Sequence, residues 1–170
     1  TQPDILLATS TSVDATCSLC NGEATIAVTG GTTPYAYDWF TVGNTPNTGT
    51  NTGLCPGPNA FEVTDANGCV IGNSVTVIDQ ASPVIDSITF ISPLCYNSNT
   101  GSAMVHASGG TITANYSFQW NDPSGQTTQT AVALPDGAYC VQVADDNGCT
   151  VSQCTNVTEP NELLAVAEAA

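Results

Sequence analysis

Eight cysteines, one histidine and 15 acidic side chains carry most of the chemistry that this 170-residue sequence could perform. Cys17 and Cys20 form a C-x-x-C pair, but a zinc site would need a second such pair or two histidines. A thioredoxin-like site would need a βαβ context, which the sequence lacks. The cysteines therefore predict disulfide bonds and an oxidising compartment, so we expect a secreted, extracellular or cell-surface protein.

A catalytic site would need a nucleophile, acid–base groups or a metal ion in a pocket. His106, the only histidine, alternates with the apolar residues around Val105, which places it on the outer face of a strand. No serine can therefore be paired with a histidine base, and no spacing singles out two carboxylates. We expect no catalytic residues and no enzyme.

Two predicted turns gather side-chain oxygens that a hard cation could use. Asp and Asn are also frequent turn-forming residues, and the calcium-binding spacings of EF-hands and repeat toxins are absent. We favour the turn-forming interpretation and no cofactor, with calcium as the alternative. The candidate calcium ligands are Asp65, Asn67, Asp145, Asp146 and Asn147.

The chain has no Lys or Arg and a formal net charge of −15. Nothing in it can neutralise phosphates, so we expect no nucleic-acid partner. An anionic membrane surface is disfavoured for the same reason. No apolar run is long enough for membrane insertion, and the absence of a basic-then-apolar leader predicts that any signal peptide has been removed.

An internal duplication organises the chain. Residues 17–31 read CSLCNGEATIAVTGG, and residues 95–110 read CYNSNTGSAMVHASGG. An aromatic segment follows in each copy, YAYDWF and then YSFQW, and after it AFEVTDANGCV and YCVQVADDNGCT. The Asn-Gly pairs predict hairpin turns. The spacing of three prolines divides the chain into repeats at 1–79 and 80–158 and a segment, 159–170, that predicts the first strand of a third repeat.

Short alternating strands separated by Gly, Pro, Asn and Thr turns predict an all-β sandwich fold without helices. In the first quoted stretch Ala24 and Ile26 share one face, and in YAYDWF Trp39 shares a face with two tyrosines. Trp120 has the equivalent place in the second copy. Each tryptophan should therefore lie in a sandwich core, whereas Phe40 is the one aromatic residue that this alternation leaves outside a core.

The order of these motifs resembles the SprB-type repeat of gliding-motility adhesins and other large surface proteins of Bacteroidota. VTGGTTPYAYDW and VTDANGC carry the resemblance, and the second copy departs from it where TITANYSFQW replaces the TTPYAYDW turn. The resemblance implies two tandem immunoglobulin-like β-sandwich domains on a secreted surface protein. It implies neither a particular ligand nor catalytic residues.

The repeat equivalence, read with this family in mind, predicts the disulfides Cys17–Cys69 and Cys95–Cys149. The hairpin register around Asn147 sets Cys140 opposite Cys154, which predicts a third bond. Cys20 and Cys55 remain and are paired. The exchanged pairs Cys17–Cys55 and Cys20–Cys69 stay open, because Cys17 and Cys20 are close neighbours.

The last segment, NELLAVAEAA, contains one strand whose Leu163, Leu164 and Val166 would need a partner sheet. We therefore expect a structural subunit or segment of an extracellular fibre or repetitive adhesin that assembles end to end with copies of itself. Donation of this strand to a neighbouring copy is one form that the assembly could take. The alternative is a module that binds carbohydrate or a cell surface, with surface glycans as partners. Short motifs make glycosylation candidates of Asn115, Asn156 and Ser87.

Overall fold

The computed structural model describes residues 4–41 and 45–164, and every regular element among them is a β-strand. The chain divides into two compact units, Thr1–Ala81 and Ser82–Ala170. The strands of the first unit are β1 (Leu7–Val13), β2 (Ala15–Thr16), β3 (Gly22–Thr29), β4 (Ala36–Trp39), β5 (Thr50–Leu54), β6 (Gly57–Thr64), β7 (Val70–Val77) and β8 (Asp79–Gln80). Those of the second unit are β9 (Pro83–Ile91), β10 (Gly101–Gly109), β11 (Ser117–Trp120), β12 (Thr130–Leu134), β13 (Gly137–Ala144) and β14 (Thr150–Val157).

Both units have the same strand order. In the first unit the antiparallel sheets are β1-β3-β5 and β4-β6-β7, and the short β2 pairs in parallel with β8. In the second unit they are β9-β10-β12 and β11-β13-β14. This is the A-B-E and C-F-G order of an immunoglobulin-like sandwich that lacks the D strand. The predicted all-β, immunoglobulin-like fold is confirmed.

The core of the first unit is filled from both sheets. Alternate residues of β3 point inwards, so that Ala24 and Ile26 are buried while Thr25 and Ala27 are exposed. They meet Trp39 from β4 and Phe61 from β6, whose ring centroids lie 5.6 Å apart. The two-residue period of the sequence therefore places the apolar set of each strand on the inner face.

The second unit repeats this core with Trp120 in place of Trp39. Val105, Val141 and Val143 are fully buried around the indole ring. In both units the indole N–H finds an acceptor within the sandwich, because Trp39 Nε1 donates to the Thr48 carbonyl at 3.0 Å and Trp120 Nε1 to the Thr128 carbonyl at 2.9 Å. A buried indole without an acceptor would leave its donor unsatisfied, which is costly.

Two segments are not what local features of the sequence indicate. Although residues 45–53 are almost all polar, β5 begins at Thr50, and Asn51 is buried with only 1% of its surface exposed. Pairing of β5 with β3 overrides the weak strand propensity of the Thr-Asn-Gly sequence. The expected strand at 159–170 is not formed by residues 159–164, and Val166 lies outside the described residues.

Replacing Phe61 by alanine should destabilise the first unit by about 3–5 kcal/mol, because the ring is 1% exposed and its removal leaves a cavity beside Trp39. Phe40→Ala is the matched control: this ring is 62% exposed, and its loss should cost no more than about 0.5 kcal/mol. Native-state hydrogen exchange of the β6 amides measures the loss of stability in each variant, and the β13 amides of the second unit serve as the internal reference. Equal protection of β6 in the two variants would contradict the assigned core.

Candidate functional site: the ends of the two sandwiches

One buried carboxylate organises the end of the first unit at which β6 turns into β7. Asp65 is 5% exposed, and its Oδ1 accepts the N–H groups of Asn67 and Cys69, both at 2.9 Å. Its Oδ2 accepts the N–H of Thr32 at 3.0 Å, on the loop that follows β3. The carboxylate thus joins two loops from different sheets. We call residues 30–32 and 65–69 the Asn-Gly end of the first unit.

The second unit has the same arrangement, and residues 109–111 and 145–149 form its Asn-Gly end. Asp145 Oδ1 accepts the N–H groups of Asn147 at 3.0 Å and Cys149 at 2.9 Å, and its Oδ2 accepts that of Thr111 at 2.9 Å. Asp146, which has no acidic counterpart in the first unit, accepts from the N–H and hydroxyl of Thr113.

The paired glycines of each repeat make room for this carboxylate. Gly31 has a φ of 61°, and a Cβ added there would lie 3.0 Å from Asp65 Oδ2. Gly110 has a φ of 70°, and its added Cβ would lie 2.8 Å from Asp145 Oδ2. The Gly-Gly motif is therefore explained by a left-handed backbone and by close approach of an aspartate that follows it by some 34 residues in each copy.

Hydrogen bonds favour the charged carboxylates of Asp65 and Asp146. The N–H of Cys69, followed by those of Thr32 and Asn67, lowers the pKa of Asp65 below its ordinary value despite the opposing effect of burial. The hydroxyl and N–H of Thr113 lower the pKa of Asp146. Because backbone donors occupy both oxygens of Asp65 and of Asp145, these two side chains act as turn acceptors. No cluster of three His, Cys, Asp or Glu residues suited to a metal ion occurs in residues 4–41 and 45–164.

Two disulfides have the pairing that the sequence predicts. Cys20 is bonded to Cys55, which ties the loop before β3 to the segment between β5 and β6. Cys140 is bonded to Cys154 across β13 and β14, in the predicted register. Their loops span 35 and 14 residues, and each bond should stabilise its unit by about 3–4 kcal/mol in the chain-entropy account.

The predicted pairs Cys17–Cys69 and Cys95–Cys149 are wrong, because Cys69 and Cys95 are free thiols. Cys17 donates its N–H to Gln80, beyond the end of β7, whereas Cys69 precedes the first residue of that strand. The eight residues of β7 separate them by about 25 Å, whereas a disulfide needs Cα atoms within about 7 Å. The exchanged pairs Cys17–Cys55 and Cys20–Cys69 are also not formed.

The same distance argument applies to the second unit. Cys149 precedes β14, whereas the loop that holds Cys95 is hydrogen-bonded through the Asn97 N–H to Glu159, which follows the last residue of that strand. The two cysteines therefore lie near opposite ends of an eight-residue strand. Unlike Cys69 and Cys95, Cys17 and Cys149 are each oxidised to a disulfide.

A groove opens beside the free thiol of the first unit. It has a volume of about 360 Å³, and Ile5, Leu6, Val70 and Cys69 contribute to its wall. Ile5 is 79% exposed and Val70 is 56% exposed, so the wall presents apolar surface to solvent. The sequence analysis did not predict this groove, because its wall combines residues before β1 with residues at the start of β7.

The free thiol of the second unit lies in a different setting, the Cys95 loop, which comprises residues 92–100. Leu94 is 79% exposed and Tyr96 is 45% exposed on either side of the cysteine. The loop is held by hydrogen bonds from the Leu94 N–H to the Thr100 hydroxyl at 3.0 Å and from the Asn97 N–H to Glu159 at 2.7 Å. Its apolar tip is thus displayed on a constrained backbone.

The remaining candidate residues are distributed over the surface. His106 is exposed on the outer face of β10, as predicted, within 3.5 Å of the Thr89 hydroxyl. The glycosylation candidates Asn115, Asn156 and Ser87 are all exposed. Phe40 is exposed as expected, but it is not the only such aromatic residue, because Phe90 and Tyr96 are each 45% exposed. Leu163 and Leu164 are 98% and 80% exposed.

The units are disulfide-stapled immunoglobulin-like sandwiches arranged in tandem, a class to which many extracellular repeats belong. The sequence model of the SprB repeat matches residues 9–44 and 87–125, once in each unit. Each unit therefore carries one match to the SprB repeat, and these matches support an adhesin-like repeat of a cell-surface or extracellular protein. No helix in the described part of the chain could cross a membrane.

Solved structures of similar outline come from tandem-domain proteins. Extracellular domains 3–5 of Drosophila OTK are 14% identical with a TM-score of 0.41, and the match covers 92% of this chain and 62% of that one. The mouse nectin-like molecule 4 ectodomain is 13% identical with a TM-score of 0.39, covering 96% and 67%. Domains 4–9 of the surface layer protein SbsC are 14% identical with a TM-score of 0.34, covering 97% and 32%. No curated protein matches the sequence, and the fold assignment rests on strand order.

Replacing Asp65 by Asn should lower the urea midpoint of the first unit at pH 7, because the charged acceptor of three N–H groups is lost. The lowered pKa of Asp65 means that its contribution is complete above the ordinary value of 3.8 and disappears as the pH falls through the lowered one. The difference between wild type and variant should therefore shrink on acidification below pH 3.8.

The exposed Asp38 on β4 provides the matched control, since Asp38→Asn makes the same change of charge away from this end. An equal effect of the two substitutions at pH 7 would show that the Asp65 carboxylate does not hold the Asn-Gly end together.

Proposed function

We propose that the chain is a structural subunit or segment of an extracellular fibre or repetitive surface adhesin, in which copies are assembled end to end. The observation that carries this proposal is the position of the most exposed large apolar side chains. Ile5, Leu94, Leu163 and Leu164 are each at least 79% exposed, and none belongs to a strand. Isolated exposed apolar residues are common, but these flank the Asn-Gly end of the first unit and the opposite end of the second.

Assembly through the ends suits the charge of the chain. Each copy has a net charge of −15 without a single Lys or Arg, so side-by-side association would bring many like charges together within a Debye length of about 10 Å at 0.1 M salt. End-to-end contact limits this repulsion to a small area. The partners in this proposal are copies of the same chain, and the role requires neither cofactor nor catalytic residue.

The C-terminal segment is proposed to take part in assembly. Leu163 and Leu164 follow β14 with almost no contacts to cover them. Their burial against an acceptor sheet would remove apolar surface from water and satisfy the backbone of residues 159–170 by strand pairing. Residues 159–170 would serve in the same way whether they form the first strand of a further repeat or a strand donated to another copy.

Deletion of residues 159–170 should abolish end-to-end filaments that negative-stain electron microscopy detects for the full chain, because the exposed leucines and the segment proposed to pair with an acceptor sheet are removed. The substitution Leu163→Ser with Leu164→Ser should have a similar but weaker effect, while Val132→Ser, at an exposed position of β12, should have none. Filaments of normal length from the deleted chain would rule out this role of the segment, and monodisperse wild-type monomers would rule out the fibre.

The alternative function is binding of carbohydrate or a cell surface, and one observation favours it. Phe40 is 62% exposed at the rim of a cavity of about 200 Å³ that Pro56 and Asn59 also line. An exposed ring beside amide and carbonyl groups is suited to stacking on a sugar. A glycan array tests this function: binding that Phe40→Ala abolishes and Phe90→Ala preserves would support a module, and an array without binding would support the structural role.

A further inference from the structure

Two free thiols remain in a chain whose other cysteines are all oxidised. Cys20, Cys55, Cys140 and Cys154 form two disulfides, and Cys17 and Cys149 are also disulfide-bonded. Cys69 and Cys95 are free, and both are exposed. In an extracellular protein, exposed thiols left over by the intramolecular bonds are suited to pairing between molecules.

The internal repeat relates each free thiol to a cysteine that is disulfide-bonded in the other unit. Cys69 occupies the position of Cys149 in the other unit, because each directly precedes the strand that follows the Asn-Gly turn, β7 or β14, and donates its N–H to the turn aspartate at 2.9 Å. Cys95 occupies the position of Cys17, before the glycine that opens the next strand. Cys149 is oxidised and 1% exposed, and Cys17 is oxidised. Each of the two repeat positions therefore holds a disulfide-bonded cysteine in one unit and a free thiol in the other.

The surroundings of the two thiols are complementary. Cys69 lines the groove of about 360 Å³ whose wall includes Ile5, Leu6 and Val70. Cys95 lies on a protruding, hydrogen-bonded loop between Leu94 and Tyr96, which are 79% and 45% exposed. The apolar tip on one copy therefore matches the apolar part of the groove wall on another. Two grooves brought together would instead oppose the carboxyl groups of Asp4 and Asp65, which also line the groove, and two tips would leave both grooves empty.

We propose that Cys95 of one copy forms a disulfide with Cys69 of a second copy, with Leu94 and Tyr96 seated in the groove beside Cys69. This inference rests on the proposed end-to-end assembly and names its covalent link. Because each copy offers one thiol of each kind, the contact is heterologous and continues into an open chain of copies.

The reaction needs an oxidant, for which a low-molecular-weight disulfide such as oxidised glutathione is suitable. One cysteine thiolate attacks this disulfide, forms a mixed disulfide and releases one glutathione thiolate. The thiolate of the other copy then attacks the protein sulfur of the mixed disulfide and displaces the second glutathione. Two cysteine thiols and one oxidised glutathione thus give one Cys69–Cys95 bond and two reduced glutathione molecules.

Complementary variants test the proposal. In a glutathione redox buffer, followed by alkylation and non-reducing gel electrophoresis, the wild type should give a ladder of oligomers. Cys69→Ser retains only Cys95, and Cys95→Ser retains only Cys69, so an equimolar mixture of the two should stop at disulfide-linked dimers. Each variant alone should give at least about tenfold less dimer, because the apolar contact that orients the thiols is missing. The double variant should remain monomeric.

Circular dichroism serves as the folding control, since both cysteines are exposed and outside the intramolecular bonds. Leu94→Asp should slow linkage about tenfold or more through the loss of the apolar contact. Val132→Asp makes the same change of charge at a residue 55% exposed elsewhere in the unit and should leave linkage unchanged. Equal dimer yields from the single variants and their mixture, or a wild type that keeps both thiols, would overturn the proposal.

Electron microscopy of the same samples separates this inference from the proposed function. If the double Cys→Ser variant forms filaments and the wild type gives no ladder, the proposed fibre is supported and the proposed disulfide is contradicted. If the wild type gives a ladder that depends on both thiols but the same sample contains no filaments, the proposed disulfide is supported and the proposed fibre is contradicted.

Discussion

The hydrogen bonds of one buried carboxylate determine the Asn-Gly end of each sandwich, and the proposed linkage of copies depends on this end in the first unit. Asp65 and Asp145 each accept three backbone N–H groups from two loops, and in each unit one of these donors is the cysteine that precedes β7 or β14. By accepting these donors, each carboxylate holds its two loops in one arrangement. The thiol of Cys69 is therefore presented from a constrained turn beside the groove.

The second constraint is the length of the strands. An antiparallel sandwich of about 80 residues has a small core and gains much from covalent bonds. Its disulfides can join only residues that lie at the same end or directly across a strand pair, because strands of eight residues keep the two ends far apart. Cys20–Cys55 and Cys140–Cys154 satisfy this condition. Cysteines at opposite ends must find partners elsewhere, which makes the ends of a unit the natural points of linkage.

Much of the fold follows from local features of the sequence, whereas the ends of the units do not. The two-residue period predicted the buried faces of β3 and β4, and the Asn-Gly register predicted the Cys140–Cys154 pair. Repeat equivalence showed which cysteines correspond but not which end of the sandwich each occupies, so the partners of Cys69 and Cys95 were wrong. The groove depends on residues before β1 packing near Val70, a contact between distant parts of the chain that no local pattern encodes.

The central claim, that copies are linked through Cys69 and Cys95, is tested most directly by mass spectrometry of a non-reduced chymotryptic digest. Equal amounts of unlabelled and ¹⁵N-labelled chain, assembled together, allow links between copies to be distinguished from links within one. The account predicts a Cys69–Cys95 peptide pair in which about half of the linked pairs join a labelled peptide to an unlabelled one, as random mixing requires. Free thiols at both positions in the assembled protein, or a pair found only within single chains, would contradict it.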